Sequence, residues 1–450
     1  MTGPNLLPDR PVASLEEYRA TGGGEGLARA LDLGPAATIE EVRRSGLRGR
    51  GGAGFPTGIK WRTVDEDPCP TRFVVCNAAE GEPGTFKDRW LLRMNPYQVV
   101  EGVAIASLAV GARRAFVGIK SGYEREITAL QNALLEMAGA DLLGGVAVEM
   151  VGGPDEYLFG EEKALLEVLE GNLPMPRIVP PFMEGLFRTP GSPNPTVVNN
   201  VETLANIPHI LREGAEWFRS VGTEGSPGTM VFTLSGDVRN PGMYELPLGY
   251  SLRDLIYAVG GGPPEDRTLK AIFPGASSTV MIPEQLDVPL DFDAMRAVGS
   301  GLGSGGFVVY DDSTCMVRAA RAYSRFLYVE SCAQCPACKH GTGEITRLLE
   351  VVDRGRAADI DIETILARCL TVTDGQRCAL PSGESLLVQS VIQVFGPEFR
   401  DHAGRGCLLG REVRVPKFVD FDETAGGFVY DERYLLKQPD WTYLDEAGET

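Results

Sequence analysis

The chain has 450 residues, of which 43% are hydrophobic, and its formal net charge is −19. This hydrophobic content suffices for about three domains with buried cores, and the acidity argues against nucleic-acid binding, which needs a basic surface to neutralise phosphates. The longest apolar run, residues 99–110, contains Glu101 and is shorter than the ~20 residues of a membrane helix, so direct membrane insertion is not expected.

The first predicted helix begins at Thr38 and ends at Gly46. Thr38 and Glu41 have the spacing of a capping box, in which each side chain accepts a hydrogen bond from the backbone of the other residue. A loop follows that is rich in glycine, with glycines at positions 46, 49, 51, 52, 54 and 58. Such a loop lets backbone N–H groups approach the oxygens of a phosphate.

Charged and aromatic side chains interrupt this loop. Arg48, Arg50 and Lys60 could supply positive charge to an anion, and Phe55 and Trp61 offer rings on which a planar ligand could stack. The pattern is not a P-loop, because no Gly-Lys-Ser/Thr sequence closes it. A flexible hinge would also explain the glycines, but the aromatic residues favour nucleotide binding.

Strand-like and helical apolar runs alternate between residues 73 and 151, which predicts an α/β layer with a largely parallel sheet. The run at 73–76 leads directly into Asn77, Glu80 and Glu82. These side chains are therefore expected at the carboxyl end of a strand, where α/β folds bind ligands. From the residues alone, a turn followed by a solvated helix explains the segment equally well.

Two later segments are also candidates for ligand binding. Residues 157–162, Tyr-Leu-Phe-Gly-Glu-Glu, repeat the combination of apolar and acidic side chains. Asn199 and Asn200 precede a predicted helix, where amide side chains and helix N–H groups could hold a phosphate. The alternative for this pair is an ordinary helix N-cap.

The second half of the chain changes in character. A hairpin turning at residues 240–242 is followed by a short helix that Ser251 caps, an order typical of a small β-grasp module. The sequence after Cys315 is helical, and the residues from Pro416 onwards are acidic and aromatic, so we expect a helical domain followed by a strap or tail.

Three cysteines occur within seven residues, at Cys332, Cys335 and Cys338. Overlapping C-x-x-C spacings direct three thiolates inward from one turn, which suits three irons of a [4Fe-4S] cluster. Cys378 is the preferred fourth ligand and Cys369 its rival. A zinc site would favour separate C-x-x-C pairs, and disulfides within so short a loop would be strained, so the cluster is the favoured interpretation.

The remaining cysteines and the histidines show no such pattern. They are interpreted as small buried apolar or surface residues: Cys69, Cys76, Cys315, Cys369, Cys407, His209, His340 and His402. An oxygen-sensitive cluster, free thiols and the absence of an export signal after Met1 predict a cytoplasmic protein, if necessary on the cytoplasmic side of a membrane complex.

Six motifs occur in an order that resembles one family between residues 40 and 415. They are Arg48-Gly-Arg-Gly-Gly-Ala-Gly-Phe-Pro-Thr-Gly, Cys76-Asn with Glu82-Pro-Gly-Thr-Phe-Lys-Asp-Arg, Phe159-Gly-Glu-Glu, Val198-Asn-Asn-Val-Glu-Thr-Leu, Leu302-Gly-Ser-Gly-Gly and the cysteine triplet. The chain resembles the flavin-carrying NADH-oxidising subunit of respiratory complex I, a family that includes diaphorase subunits of NAD-linked hydrogenases and formate dehydrogenases.

The resemblance implies a fold of several parts. An N-terminal segment with the glycine-rich loop would span residues 1–57, and a Rossmann-like FMN- and NADH-binding α/β domain would span 58–220. A ubiquitin-like, soluble-ligand-binding β-grasp domain at 221–312 would precede a helical [4Fe-4S] bundle at 313–415 and a C-terminal tail at 416–450.

The resemblance also implies the cofactor-binding residues. FMN would be held by Gly49, Gly51, Lys60, Asn77, Glu80, Tyr157, Gly160, Glu161, Asn199, Asn200 and Thr203, with Gly52 and Gly54 in the same loop. NADH would contact Phe55, Glu82, Glu162 and Phe182, and the cluster would bind Cys332, Cys335, Cys338 and Cys378. Ala79 stands where the family usually has Asp, and Val179 where it usually has Lys, which removes a hydrogen bond near the flavin and a cation near NADH.

The expected chemistry follows from these cofactors. A hydride carries two electrons and a cubane cluster accepts one, so a flavin must stand between NADH and the cluster. Glu82 and Glu162 would orient the nicotinamide without exchanging a proton. The resemblance implies two partners, a thioredoxin-like [2Fe-2S] subunit and a further iron-sulfur subunit. The alternatives are the same module in a hydrogenase or formate dehydrogenase, and a paralogue that only relays electrons.

Overall fold

Four helices precede the first strand in the computed structural model, which describes residues 3–444. They are α1 (Leu15–Ala20), α2 (Glu25–Leu33), α3 (Pro35–Ser45) and α4 (Thr57–Asp65). The predicted start of α3 at Thr38 is wrong, because Gly34 is the N-cap and Pro35 occupies the first helical turn. Glu41 instead accepts a hydrogen bond from the amide of Ala215 at 2.6 Å. The predicted end of this helix at Gly46 is confirmed.

Four parallel strands form the first sheet in the order β3-β2-β1-β4. The strands are β1 (Phe73–Ala78), β2 (Arg114–Lys120), β3 (Ala147–Gly153) and β4 (Thr196–Asn200). The helices after them are α5 (Lys87–Met94), α6 (Pro96–Val110), α7 (Glu124–Gly139), α8 (Glu162–Leu169), α9 (Val201–Glu213) and α10 (Ala215–Arg219). This arrangement confirms the α/β layer and the parallel sheet that the alternating apolar runs predict.

Both faces of this sheet are buried, because side chains of one strand alternate between two cores. Along β1, Val74 and Cys76 belong to the core beneath α6 and α9, whereas Phe73 and Val75 pack with Leu165 of α8 on the other face. The strand positions are therefore fixed from both sides.

The chain reverses its direction of travel across the sheet between β1 and β4. Strands β1, β2 and β3 progress towards one edge, and β4 then lies on the opposite side of β1. The crevice at the carboxyl ends of such a strand pair is where open α/β sheets bind ligands. The register pairs Asn77 with Asn200 across this crevice, so two predicted ligand-binding residues are neighbours.

A second sheet follows, with the strand order β6-β5-β8-β7. Its strands are β5 (Thr229–Gly236), β6 (Gly242–Pro247), β7 (Leu269–Phe273) and β8 (Gly306–Asp311), accompanied by α11 (Leu252–Asp254) and α12 (Phe292–Ala297). The predicted hairpin of β5 and β6 is confirmed as an antiparallel pair, and Ser251 caps α11 as expected. β5 and β8 pair in parallel.

The remaining helices are α13 (Met316–Glu330), α14 (Pro336–Asp353), α15 (Asp359–Cys369) and α16 (Leu380–His402). The segment after Pro416, in which the sequence shows no periodicity, contains a hairpin of β9 (Phe418–Asp422) and β10 (Gly427–Tyr430). It is anchored by Lys437, whose buried ammonium group lies 3.0 Å from the carboxylate of Glu330. None of the helices within residues 3–444 combines the length and apolar character of a membrane span.

Candidate functional site

A cavity of about 650 Å³ opens at the carboxyl ends of β1 and β4. This volume lies within the usual range for sites that bind small molecules and cofactors. Its walls come from the glycine-rich loop, the first sheet, the loop that precedes β8 and the start of α16. Segments that are distant in the chain therefore enclose one site.

The glycine-rich loop is closed at its base, because the amide of Gly49 donates to the carbonyl of Phe55 at 2.9 Å. Gly54 has a φ of +63°, and a Cβ there would lie 2.5 Å from the ring of Phe292. A Cβ at Gly51 would lie 3.1 Å from Cβ of Asn200. Larger residues would strain the loop or push into the cavity, so the structure requires glycine here.

Two of the three predicted cations of this loop do not face the cavity. Arg50 is fully buried, and its guanidinium donates to the carbonyls of Pro227 and Thr229 at 3.0 and 2.9 Å. Arg48 lies over the ring of Phe292 and donates to Asp293. The expectation that both arginines supply charge to a phosphate is wrong, because both connect the loop to the second sheet region.

Lys60 is the loop cation that lines the cavity. Its ammonium group donates to the carboxylate of Glu162 at 2.9 Å and to the carbonyl of Val198 at 3.0 Å. Next to it on α4, the indole N–H of Trp61 donates to Asn199 at 2.8 Å, so Trp61 fixes the orientation of an amide at the end of β4. Trp61 is completely buried and offers no stacking surface to a ligand.

Glu82 joins the α/β region to the second sheet region. Its carboxylate accepts hydrogen bonds from the hydroxyl of Tyr157 at 2.6 Å and from the amide of Ala276 at 2.7 Å. Burial raises the pKa of Glu82, and these hydrogen bonds oppose that effect by stabilising the ionised form. The side chain therefore has a fixed position in the cavity wall.

Other polar residues of the wall also have partners within the protein. The Asn77 amide donates to the carbonyl of Gly160 at 2.8 Å. Asn200 is the N-cap of α9, the alternative to phosphate binding that its sequence position left open, and it also donates to Asp88 at 2.6 Å. Glu161 caps α8, and burial raises its pKa to about 7.

The carboxyl group of Glu80 lies at the start of α5. The amides of Asp88 and Arg89 each donate to it at 3.3 Å, while burial, followed in effect by the nearby Asp88, raises its pKa to about 7. The floor of the cavity thus holds a carboxyl group that is partly protonated at neutral pH.

The cavity wall collects predicted residues from five separate stretches of the chain. They are Gly49, Gly51, Gly52, Gly54, Phe55, Lys60, Asn77, Glu80, Glu82, Tyr157, Gly160, Glu161, Glu162, Asn199, Asn200, Thr203 and Cys378. Phe182 is exposed and does not contribute to the wall. The glycine cradle, the convergent amides and the exposed ring of Phe55 fit a flavin nucleotide, so the residues present are suited to FMN.

Some lining residues gave no sequence signal. Ser278, Arg296 and Ser382 reach the cavity from the second sheet region and from α16. Their positions depend on how distant segments pack. The loop Leu302-Gly-Ser, which also lines the cavity, was detectable only as part of a family motif.

The cysteine triplet spans the turn between α13 and the beginning of α14, where Cys335 is the N-cap. Ala333 has a φ of +61°, a left-handed conformation that is strained for a residue with a Cβ. Cys378 lies just before α16, and Cys332 and Cys338 are near enough to contribute to its raised pKa, which burial chiefly causes and which reaches about 12. No such influence acts on Cys369. This proximity supports Cys378 as the fourth ligand.

The spacing of these four thiols bears on zinc as the alternative. Zinc–sulfur bonds of about 2.3 Å would bring tetrahedral thiolates within about 3.8 Å of one another. Of residues 3–444, no three of Cys332, Cys335, Cys338 and Cys378 have sulfurs all within 4.8 Å of one another. A cubane binds each thiolate to a different iron, so the wider arrangement fits a [4Fe-4S] cluster.

Three family models match the chain. The Nuo51 FMN-binding domain matches residues 42–209, the SLBB domain matches residues 231–281, and the iron-sulfur binding region of NADH-ubiquinone oxidoreductase F matches residues 318–402. The first contains β1 and β4 with most of the cavity wall, and the last contains the cysteine triplet and Cys378.

Curated relatives match over nearly the full chain. NADH-quinone oxidoreductase F 2 of Rhizobium meliloti is 42% identical over 400 residues, covering 86% of this chain and 94% of the relative. The chain belongs to the NADH-quinone oxidoreductase F family. It is an NADH dehydrogenase flavoprotein with an FMN-binding region and a [4Fe-4S]-binding region.

The family also includes hydrogenase subunits. The NADP-reducing hydrogenase subunit HndC of Solidesulfovibrio fructosivorans is 38% identical over 400 residues, covering 86% of this chain and 80% of the relative. A chain in the crystal structure of an NAD+-reducing [NiFe]-hydrogenase in the H2-reduced state superposes with a TM-score of 0.79 at 35% identity, covering 88% of this chain and 67% of that one.

Proposed function

We propose that this chain oxidises NADH in the cavity and passes the electrons singly to a cluster bound by Cys332, Cys335, Cys338 and Cys378. The observation that carries this proposal is that Cys378 forms part of the cavity wall. Bound FMN would supply the conversion of a two-electron hydride into single electrons that a cluster can accept. A short path between the two cofactor sites follows from the shared wall.

The chain's own residues would bind and orient the reactants. The glycine-rich loop with Lys60, the amides at the ends of β1 and β4, and Thr203 would hold FMN, while Phe55 and the carboxylates of Glu82 and Glu162 would position the nicotinamide. Glu82 is held by Tyr157 and by the amide of Ala276, so it can accept a hydrogen bond from a carboxamide without moving. No side chain needs to transfer a proton in the hydride step.

The test of this function is anaerobic stopped-flow spectroscopy of the isolated FMN-loaded chain. NADH should bleach the flavin absorbance and support the reduction of an artificial acceptor without any partner chain. An FMN-loaded chain that NADH does not bleach would contradict the proposal and favour a protein that only relays electrons.

The finer domain assignment is also a proposal. The sheet order of the first region supports a Rossmann-like domain at 58–220, the mixed sheet supports a β-grasp domain at 221–312, and α13 to α16 support a helical cluster domain at 313–415. The segments 1–57 and 416–450 would then be extensions that pack on these domains. Limited proteolysis should cleave first near these boundaries.

The chain would act as one component of a larger complex. Exposed apolar side chains are concentrated in the segment 173–187, at Leu173, Ile178, Phe182, Met183 and Phe187. The carbonyl of Pro176 accepts hydrogen bonds from Gln334 and Arg377 beside the cysteine loop. A thioredoxin-like [2Fe-2S] partner on this segment would lie close to the cluster, and a further iron-sulfur protein of the complex would receive its electrons.

Two complexes fit the family. An NADH-quinone oxidoreductase on the cytoplasmic side of a membrane is favoured by the names of most curated relatives, and a hydrogenase is favoured by HndC and by the superposed crystal structure. Native purification with identification of the associated chains distinguishes them. Membrane proteins that reduce quinone would support the first, and a hydrogenase catalytic chain would support the second.

A further inference from the structure

Cys315, His402 and Cys407 are brought together at a site well separated from the cysteine triplet in the sequence. One possible ligand atom from each of the three lies within 4.8 Å of the other two, which occurs for no other group of histidine, cysteine and acidic residues in the part of the chain that the structure describes. Cys315 and His402 are buried and Cys407 is half-buried. The sequence interpretation of these cysteines as isolated apolar side chains is therefore wrong.

The local backbone builds this cluster. Cys315 is the N-cap of α13, and His402 is the last residue of α16. The chain then turns through Gly404 and Gly406, both with positive φ, and the amide of Cys407 donates to the carbonyl of Asp353 at 3.2 Å. These glycines allow the reversal that returns a second thiol to the histidine.

The histidine ring has the orientation that a metal ligand needs. Its Nδ1 lies 2.7 Å from the carbonyl oxygen of Glu398, which can only accept a hydrogen bond, so Nδ1 carries the proton. The lone pair of Nε2 then faces the sulfur of Cys315 at 3.3 Å. Such a carbonyl partner commonly fixes the tautomer of a metal-binding histidine.

The distances also fit a single ion. Zinc bonds of about 2.3 Å to sulfur and 2.0 Å to nitrogen place tetrahedral ligand atoms roughly 3.5–3.8 Å apart. Small side-chain rotations would bring the three atoms into this range. The amide of Arg318 lies 3.4 Å from the sulfur of Cys315 and could stabilise the thiolate.

We propose that Cys315, His402 and Cys407 bind a zinc ion that is independent of the iron-sulfur cluster. Two thiolates and an imidazole are a ligand set that zinc prefers. The nearby carboxylate of Glu398 already accepts from the amide of Met316 and pairs with Lys270, both at 2.9 Å, so it is committed elsewhere. A water molecule completes the coordination on the side of half-buried Cys407.

This ion would fasten the end of α16 to the start of α13. Beyond Cys407 the chain runs to Pro416, whose carbonyl accepts from the amide of Gly84 at 2.8 Å next to the cavity. The zinc would therefore set the course of the segment 408–416 as it leaves the helical region for the α/β region.

The test is metal analysis of the intact holoprotein, purified without a polyhistidine tag from zinc-supplemented medium. About one zinc per chain is expected besides the cluster iron, and X-ray absorption at the zinc edge should show two sulfur ligands with nitrogen and oxygen. Cys407→Ala and His402→Ala should each lower zinc at least about tenfold while iron, FMN and NADH oxidation stay at parental levels. Cys69→Ala, a buried cysteine elsewhere, is the matched control.

Three results would overturn the proposal. They are a parent protein without stoichiometric zinc, zinc retained by both variants, and a zinc edge that shows four sulfur ligands, which would assign the ion to the cysteine triplet. A disulfide between Cys315 and Cys407, detected by mass spectrometry under non-reducing conditions, is the specific form that the first result would take. The X-ray absorption measurement on the parent does not depend on whether the variants fold.

Discussion

In the cavity, the polar side chains of the wall already hold firm hydrogen bonds to the protein, whereas the thiols of the cysteine region have weaker contacts. Glu82 receives two hydrogen bonds shorter than about 2.8 Å. In contrast, Cys332 contacts Gln334 at 3.5 Å and Cys338 contacts Ser331 at 3.3 Å. The protein itself therefore sets the shape of the cavity, while the cysteine turn needs its cluster for much of its stability.

The largest effect should come from removing a cluster ligand. Cys378→Ala should reduce iron from about four per chain to below one, because a cubane held by three thiolates exposes its fourth iron. FMN should stay bound, since the flavin wall does not depend on the cluster. Iron and flavin analysis of one preparation checks this.

Cys369→Ala is the matched control, because Cys369 is the rival ligand and is likewise a free cysteine of the helical region. It should keep its iron. Full iron content in Cys378→Ala together with loss in Cys369→Ala would reverse the ligand assignment.

Glu82→Gln tests the cavity side of the comparison. The amide still fits the space but presents the amide of Ala276 and the hydroxyl of Tyr157 with a neutral group that is also a donor. We expect flavin reduction by NADH to slow about 10- to 100-fold, with FMN affinity almost unchanged, because the nicotinamide loses its orientation. Anaerobic stopped flow measures the rate, and Glu284→Gln is the control. Equal rates in variant and parent would remove Glu82 from the site.

A third, smaller effect concerns the glycine cradle. Gly54→Ala and Gly145→Ala both place a Cβ at positive φ, but only at Gly54 does that Cβ meet a ring, whereas nothing lies within 4 Å at Gly145. Gly54→Ala should weaken FMN binding about tenfold, and Gly145→Ala should only lower stability by about 1 kcal/mol. Flavin titration and thermal unfolding of both variants separate the clash from backbone strain. Similar FMN affinities would show that the loop tolerates the clash.

The smallest effect is a dependence of stability on pH in the cysteine region. Burial raises the pKa of Glu384 from 4.5 to about 8, so the folded protein holds this carboxyl protonated at neutral pH. Because the folded pKa is raised, this contribution is complete below pH about 4.5 and is lost as the pH rises through about 8, by at most about 5 kcal/mol.

Glu384→Gln mimics the protonated form and should remove that alkaline loss. The thermal midpoint of the parent should fall more steeply between pH 6 and pH 9 than that of the variant, a range chosen to bracket the raised pKa of about 8. Glu384 accepts from Ser324 at 2.6 Å, a bond that an amide oxygen can keep. Parallel curves for the two proteins would contradict the prediction.

The same contrast explains what the sequence could predict. The cysteine ligands are mostly close together in the chain, so spacing alone identifies three of them, and the structure then distinguishes Cys378 from Cys369 by proximity. The alternating apolar runs predicted the parallel sheet because each strand is buried on both faces.

The rest depended on long-range packing. Arg50 has the composition of a phosphate ligand but turns into the protein, where carbonyls of residues 227 and 229 accept its hydrogen bonds. Arg296 and Ser382 reach the cavity only because the second sheet region and α16 pack against the first sheet. Likewise, Cys315 and His402 are 87 residues apart, so no local pattern could connect them.

The most direct test of the shared wall is the fate of electrons after NADH has reduced the flavin in the isolated chain. Rapid-freeze electron paramagnetic resonance of the FMN- and cluster-loaded protein should show the reduced [4Fe-4S] signal rising after NADH is mixed in, without any partner chain. The account would be contradicted if the flavin were fully reduced and the cluster responded to a chemical reductant of similar potential but not to NADH.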